Sequence, residues 1–348
     1  MEGLDIGSRK LEVNANREKM AGTKKTEMIN RAQRRWRLLA RALTRSPEPQ
    51  EDAEELEPDP ISVRRFTNFG LVNAAALENV IGDRESTWYS YAATIDRKCF
   101  AVDVREVNKS FTANELIGFN NTGNICVWPS EECLAHYLLS NRDICRGKTV
   151  LELGGGMSCL AGVFVAKYCK PAAVTLTDGN VTSVDNARCI VARNKLDTFI
   201  DCRVVQWEKA AKDLRQDDVN ANHVRQTWST DWNQPESRRT SQAGLYDVIL
   251  SADCLFFDEA RLDLVETIFG WLAEDGIALI VAPRRGSTFE KFTEAAIERG
   301  FTARQREFYD PRVWSRHLEL VEHSQEYCPD IHYPLLLELT KKQIKAPG

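Results

Sequence analysis

A glycine-rich turn is the first feature whose residue types suit ligand chemistry. The segment Val150–Cys159 begins with an apolar run that carries Glu152 at its third position, and Gly154, Gly155 and Gly156 follow. Glycines let the backbone turn sharply and approach a ligand without an intervening Cβ atom. A helix that follows such a turn presents free N–H groups to ligand oxygens. We therefore predict a ligand-binding turn between a strand and a helix, and a tight turn without a ligand is the alternative.

The class of ligand follows from two neighbours of this turn. Nicotinamide and flavin folds use a similar glycine-rich turn, so the turn alone is only moderately specific. Glu152 suits a ligand with a positively charged amino-acid group rather than a pyrophosphate. Cys159 stands where a dinucleotide-binding fold requires glycine for close helix packing. A Rossmann oxidoreductase is therefore the less favoured alternative.

Two further candidates follow the next two predicted strands. Asp178 ends the run that begins at Ala173, and its carboxylate can accept hydrogen bonds from both hydroxyls of a ribose. An Asp at a strand end is also a common helix cap, which is the alternative. Trp207 closes the third predicted strand, and its indole offers a stacking face for adenine. An ordinary core position is the alternative for Trp207.

A fourth element, Ser251–Phe256, places an acid and an aromatic ring three residues apart. We expect Ala252, Asp253 and Phe256 at the carboxyl edge of the sheet, where open α/β sheets bind ligands. A carboxylate and a ring face together suit a cationic amine. Because a carboxylate stabilises ammonium, we assign Asp253 to capture and orientation of an amine rather than to strong base catalysis.

The elements that must position these residues begin at Gly147. Short apolar runs alternate with helical stretches, which predicts a parallel sheet covered on both faces; these runs are Thr149–Leu153, Ala173–Thr177, Cys202–Gln206, Tyr246–Ser251 and Ile277–Ala282. The last two runs, Phe301–Phe308 and His332–Thr340, have no helix-sized apolar pattern between them and predict an antiparallel pair. The fold class is α/β: a doubly wound, mostly parallel seven-stranded sheet with an antiparallel last strand and an N-terminal accessory region.

The rest of the chain divides by composition. Residues 61–146 form the accessory region, with a strand predicted at Lys98–Arg105, and residues 147–342 form the main domain. Residues 213–243 are polar and lack an apolar period, so we expect a solvated, mobile insertion. Residues 1–60 carry ten Lys/Arg against two Glu between Arg17 and Arg45, then seven acids between Glu48 and Asp59. The basic block predicts an amphipathic helix and the acidic block an extended linker; the apolar helix face comprises Ile29, Ala32, Trp36, Leu39 and Leu43.

Bulk composition narrows the possible partners. The net charge of −5 gives no global basis for nucleic-acid binding. The ten cysteines include no CxxC pair, and the five histidines show no zinc-ligand spacing, so we expect free thiols and no metal. No apolar run is long enough to span a bilayer. We expect a soluble intracellular monomer.

Taken together, these motifs resemble the seven-β-strand methyltransferases. The acid-x-x-aromatic motif is similar to that of the lysine-methylating branch, which includes the methyltransferase-like 21 group. Longer phrases between Ile61 and Lys342 resemble the calmodulin-lysine N-methyltransferases; they are Phe119–Glu132, Gly154–Gly162, Thr177–Asn180, Ala252–Phe256, Ala282–Gly286 and Tyr333–Thr340. One departure from the branch is Phe256, where most relatives have Tyr.

The resemblance implies a function and assigns residues to it. The cofactor would be S-adenosylmethionine, the substrate a lysine of calmodulin, and the location the cytoplasm and the nucleus. Asp253 and Phe256 would lie at the channel for the target lysine, and the cofactor would contact Trp128, Gly154, Gly156, Asp178, Trp207 and Ala252. A lysine of another protein and a catalytically silent cofactor-binding adaptor are the alternatives.

Overall fold

A computed structural model describes residues 68–77, 86–107, 127–220, 246–324 and 327–342. The amphipathic helix, the acidic linker, residues 221–243 of the expected insertion and the start of the Phe119–Glu132 phrase lie outside these residues. No helix of the described part is long and apolar enough to cross a membrane. The nine cysteines in the described ranges are free thiols. Within those ranges, no cluster of His, Cys, Asp or Glu side chains is suited to hold a metal ion.

A small antiparallel sheet forms within the accessory region. Its strands are β1 (Val72–Ala76), β2 (Ser86–Ile95) and β3 (Lys98–Val107), in that order. Asp96 and Arg97 join β2 to β3, and their φ angles of 49° and 63° match the left-handed conformation of a two-residue hairpin turn. The strand predicted at Lys98–Arg105 lies within β3.

The main sheet has seven strands among the described residues. They run in the order β6-β5-β4-β7-β8-β10-β9; their bounds are β4 (Thr149–Glu152), β5 (Ala173–Asp178), β6 (Phe199–Val204), β7 (Tyr246–Ala252), β8 (Leu272–Ala282), β9 (Phe301–Arg306) and β10 (Leu335–Lys341). Strands β4 to β8 are mutually parallel, and β10 runs antiparallel to both β8 and β9. The predicted fold class is confirmed, with the antiparallel last strand inserted between β8 and β9.

Helices flank this sheet. They are α1 (Pro129–Ser140), α2 (Leu160–Tyr168), α3 (Val181–Asn194), α4 (Trp207–Asn220), α5 (Arg261–Trp271), α6 (Thr288–Arg299), α7 (Pro311–His323) and α8 (Pro329–His332), with a 3₁₀ turn at Arg142–Ile144. Helix α2 is apolar on all sides and buried from Leu160 to Ala166, because it packs against α1, β3 and β5 at once.

Three predictions about elements were wrong. Strand β6 ends at Val204, so Trp207 begins α4 instead of closing the strand. The same helix extends to Asn220, so the insertion predicted from residue 213 begins with eight helical residues. Helix α7 lies between β9 and β10, where no helix was expected.

The helix α7 was missed because its buried face is unusual. That face consists of Val313, His317 and Leu320, so a histidine takes the place of an apolar residue. Two local signals were overlooked, namely the helical spacing of Val313, Leu320 and Val321 and the start of the helix. Asp310 caps it by accepting hydrogen bonds from the N–H groups of Arg312 and Val313 at 2.8 and 3.1 Å, and Pro311 occupies the first turn.

Two asparagines of α3 hydrogen-bond to the accessory sheet and to the residue that follows the glycine turn. Asn194 donates to the carbonyl of Asp103 at 2.7 Å and accepts from its N–H at 2.9 Å. Asn186 donates to the carbonyls of Arg105 and Met157 at 2.9 and 2.7 Å. Because Met157 follows the three glycines directly, Asn186 connects β3 to the turn predicted to bind a ligand.

Candidate active site

One pocket lies at the carboxyl ends of β4, β5 and β7. It is partly open to solvent, and it lies at the edge of the sheet where open α/β sheets bind ligands. All ten residues predicted from the sequence line it: Trp128, Glu152, Gly154, Gly155, Gly156, Asp178, Trp207, Ala252, Asp253 and Phe256. Glu131, Gly179 and Cys254 line it as well, and the sequence analysis did not single them out.

The glycine turn is shaped by contacts that exclude a side chain. Gly154 and Gly156 have left-handed φ angles of 67° and 60°. A Cβ atom on Gly154 would lie 2.6 Å from the Cys254 sulfur and 3.0 Å from Cζ2 of Trp207. Trp207 is 5% exposed, so its indole belongs to the core and lines the pocket as well. The core position of this tryptophan is therefore observed, and its stacking against adenine stays a prediction.

Asp178 connects the glycine turn to the end of the second parallel strand. Its Oδ2 accepts from the Gly156 N–H at 2.9 Å, and its Oδ1 accepts from the Asn180 N–H at 2.8 Å. The cap of α3 is Asn180, whose side chain accepts from the Ser183 N–H at 3.2 Å. Asp178 is thus not that cap. It also hydrogen-bonds to the Ser183 side chain, and its carboxylate has a further acceptor site for a ligand hydroxyl.

Three buried carboxyl groups surround this part of the pocket. Burial raises the pKa of Asp178 to about 6 and that of Glu131 to about 7. Burial, and then the nearby charge of Glu131, raises the pKa of Glu152 to about 8. Ionised carboxylates at such depth need a cationic partner, so the cluster suits a positively charged ligand.

Glu131 and Glu152 also hold the helix that follows the glycine turn. Glu131 accepts from the Ser158 hydroxyl at 2.6 Å and from the Leu160 N–H at 2.7 Å. Glu152 accepts from the Gly162 N–H at 3.0 Å. Glu131 was missed in the sequence because an acid in the first turn of a helix, here α1, is an ordinary feature of helix starts. Its role at the N-terminus of α2 depends on tertiary packing.

Asp253 and Phe256 contact a residue of the turn that follows β8. Arg285 forms a bidentate ion pair with Asp253, in which Nη1 donates to Oδ1 and Nη2 donates to Oδ2 at 2.8 Å. The Arg285 guanidinium carbon lies 5.8 Å from the ring centre of Phe256. Phe256 in turn lies 4.4 Å from Phe257, ring centre to ring centre. Arg285 lies within the phrase Ala282–Gly286, and no role was predicted for it from the sequence.

Comparisons with known proteins agree with this geometry. Residues 110–222 match the lysine methyltransferase family. The chain is 28% identical over 320 residues to a calmodulin-lysine N-methyltransferase of Arabidopsis thaliana, covering 88% of this chain and 96% of the relative. It is 27% identical over 150 residues to the human protein-lysine N-methyltransferase EEF2KMT, covering 43% of this chain and 40% of the relative.

Solved structures are more distant. TYW2 of M. jannaschii, crystallised in complex with AdoMet, is 12% identical with a TM-score of 0.38, covering 76% of this chain and 90% of that chain. A likeness this low leaves substrate and activity open. The family match and the identity to the plant relative are the informative comparisons. Residues 110–222 are therefore similar to the lysine methyltransferase family, which uses S-adenosylmethionine.

Proposed function

We propose that this chain methylates a lysine ε-amine of calmodulin with methyl groups from S-adenosylmethionine. The observation that carries the proposal is a single pocket with two chemically different halves. Glu131, Glu152 and Asp178 gather around the glycine turn, and Asp253 and Phe256 lie at the end of β7. The identity to the plant calmodulin-lysine N-methyltransferase supports the choice of substrate.

The residues of the first half fit the cofactor. Asp178 would accept the ribose hydroxyls, and the Trp207 indole would contact the adenine. The carboxyl groups of Glu152 and Glu131 would face the cationic part of the molecule, since both already lie buried at the pocket wall. Trp128, Ala252 and the three glycines would supply the remaining walls. When bound, S-adenosylmethionine supplies an electrophilic methyl group on a cationic sulfur.

The second half suits the target amine. A lysine has an ordinary pKa near 10.4, and only its neutral form has a lone pair for attack on the methyl carbon. The amine must therefore give its proton to solvent before transfer. Asp253 would orient the amine at the pocket mouth, and Phe256 would supply an apolar wall with a ring face. Alignment of the reacting atoms is expected to contribute several kcal/mol, on the order of the effects seen for well-oriented reactants.

The test is incubation of the protein with calmodulin and labelled S-adenosylmethionine, followed by mass spectrometry of the modified residue. Methyl groups on a calmodulin lysine are the expected result, and the Asp178→Ala variant provides the reduced-activity control. Label on other proteins but not on calmodulin would show that the substrate is a different lysine protein. Thermal shift with S-adenosylhomocysteine against NAD separates the methyltransferase from an oxidoreductase, because a ligand that binds only the folded state raises its stability. Cofactor binding without any transfer would favour the silent adaptor.

A further inference from the structure

Arg285 places a cation where the proposed target lysine would need to approach. It engages both oxygens of Asp253, and its guanidinium carbon lies 5.8 Å from the Phe256 ring centre. The two charged side chains are 11% and 4% exposed. The carboxylate assigned to the amine therefore already has a buried partner of opposite charge.

Both residues of this ion pair have an unusual backbone conformation. Asp253 and Arg285 adopt left-handed φ angles of 57° and 45°, which cost energy for residues other than glycine. The Asp253 N–H donates to the Val281 carbonyl at 2.9 Å, and the Arg285 N–H donates to the Asp330 carbonyl at 2.7 Å. These hydrogen bonds connect the turn after β7 to β8, and the turn after β8 to α8. Both side chains are thus presented to each other by a fixed scaffold.

The pair changes the electrostatics that a lysine would meet. An isolated carboxylate stabilises ammonium and so opposes formation of the neutral nucleophile. A carboxylate already paired with guanidinium presents no net charge, while the guanidinium repels a second cation. We propose that Arg285 is a positioning residue that neutralises Asp253, so that the pocket holds the target lysine as free amine. This inference rests on the proposed methylation of lysine.

Other charged groups near the pair are consistent with this role. Burial and the charge of Arg285 lower the pKa of His332 to about 4, so no second cation forms there at neutral pH. The Asp330 carboxylate accepts from the Gly286 N–H at 3.0 Å and anchors the turn that carries Arg285. Arg284 lies 3.7 Å from Glu290, on exposed surface. On the cofactor side, the charged groups that line the same pocket as Asp253 are the carboxyls of Glu131, Glu152 and Asp178.

The first measurement is the pH dependence of kcat for methylation of calmodulin. In Arg285→Met, the uncompensated carboxylate of Asp253 should shift the rising limb to higher pH by about one unit or more. In Asp253→Asn, the uncompensated guanidinium should shift it to lower pH. Arg284→Met removes a neighbouring arginine without touching Asp253, and its profile should match wild type. A uniform fall of kcat in both variants of the ion pair, with no shift in either direction, would reduce Arg285 to a structural role.

The second measurement does not depend on turnover. Calmodulin is titrated into the protein loaded with S-adenosylhomocysteine, in buffers of different ionisation enthalpy, and the heat differences give the protons released on binding. Near pH 8, wild type should release more protons than Arg285→Met, because the variant retains ammonium. Equal proton release would overturn the inference. Absence of methylation by wild type would instead overturn the proposed function, so the two failures are distinguishable; circular dichroism confirms that each variant is folded.

Discussion

The backbone N–H of Gly156 donates to the carboxylate of Asp178 across 2.9 Å, which joins the glycine turn to the end of the neighbouring strand. The residues are 22 positions apart in sequence, and only the parallel pairing of β4 with β5 brings them together. Asp178 therefore shapes the turn as well as offering acceptors to a ligand. A substitution at this position tests both roles.

We expect Asp178→Ala to weaken S-adenosylmethionine binding at least tenfold, because the ribose loses its acceptors. The variant also leaves the buried N–H groups of Gly156 and Asn180 without their acceptor, at a cost of about 1–3 kcal/mol in unfolding free energy. Calorimetry measures the affinity for S-adenosylmethionine, and thermal unfolding measures the stability of the variant. An affinity equal to wild type would contradict the assignment of Asp178 to the ribose.

Cofactor affinity should rise with pH. Glu131, Glu152 and Asp178 have pKa values of about 7, 8 and 6, raised by burial above their ordinary values. In the unbound protein the folded state therefore holds more protons than the unfolded chain, and its stability falls as pH increases from about 4.5 to 8. Ionisation of these groups also favours a cationic ligand, so the thermal shift produced by S-adenosylmethionine should be larger at pH 8 than at pH 5.5.

S-adenosylhomocysteine provides the matched control for this pH effect, because it lacks the positive charge on sulfur. Its affinity should change less between pH 5.5 and 8 than that of S-adenosylmethionine. A Glu152→Gln variant should show a smaller difference between the two ligands, since the neutral amide cannot ionise. Parallel pH curves for both ligands in wild type would mean that the carboxyl cluster does not respond to the sulfonium charge.

The parallel half of the main sheet and the pocket residues could be predicted because their signals are local. An apolar run that ends in glycines or an acid identifies a strand end, and parallel strand ends share one edge of the sheet. Asp178, Asp253 and Phe256 were found in this way, without knowledge of distant contacts. Trp128 was found only through the resemblance to a family.

The remaining features depend on packing that no local pattern contains. Glu131 lines the pocket and accepts a hydrogen bond from the distant Leu160, whereas Arg285 reaches the site through its ion pair with the distant Asp253. The position of β10 between β8 and β9 likewise depends on the strand order of the sheet, which the pattern within each strand does not specify. Helix α7 is different, because its start at Asp310 and Pro311 was a local signal that was overlooked; one of its buried positions is His317, which hydrogen-bonds to Tyr327 at 2.7 Å.

Glu132 should contribute strongly to stability. Its buried carboxylate accepts three backbone N–H groups, from Phe69, Leu71 and Val72, at 2.8, 2.6 and 3.1 Å. Glu132→Gln keeps the size but replaces one acceptor oxygen with a donor, so we expect a loss of about 1–3 kcal/mol in unfolding free energy. The control is Glu319→Gln, whose side chain is 53% exposed and pairs with Arg316, and its effect should stay within about 0.5 kcal/mol. Equal stabilities of the two variants in urea unfolding would contradict this role.

The basic N-terminal segment, outside the described residues, offers a separate test of substrate recruitment. Trp36 and Leu43 stand seven residues apart among arginines, a pattern typical of helices that bind acidic, groove-containing partners. We expect deletion of residues 1–46 to raise the KM for calmodulin and to reduce its dependence on salt. Steady-state kinetics at low and high ionic strength give both quantities. An unchanged KM at low salt would favour the alternatives, a helix docked on the enzyme itself or a solubilising arm.

Phe256 should determine how many methyl groups the lysine receives. A Tyr hydroxyl here could hydrogen-bond the amine and favour one or two methyls, whereas Phe loses no partner as N–H bonds become N–CH₃. Each methyl makes the ammonium larger, which an aromatic face tolerates well, so we expect wild type to proceed to trimethyl-lysine. Phe256→Tyr should shift the product toward lower states, because a buried hydroxyl facing methyl groups costs about 1–3 kcal/mol. Intact-mass analysis of calmodulin at exhaustive turnover measures the methylation state that each enzyme produces. A wild type that stops at one methyl would show that Phe256 does not set the product. A Tyr variant that trimethylates at an undiminished rate would show the same.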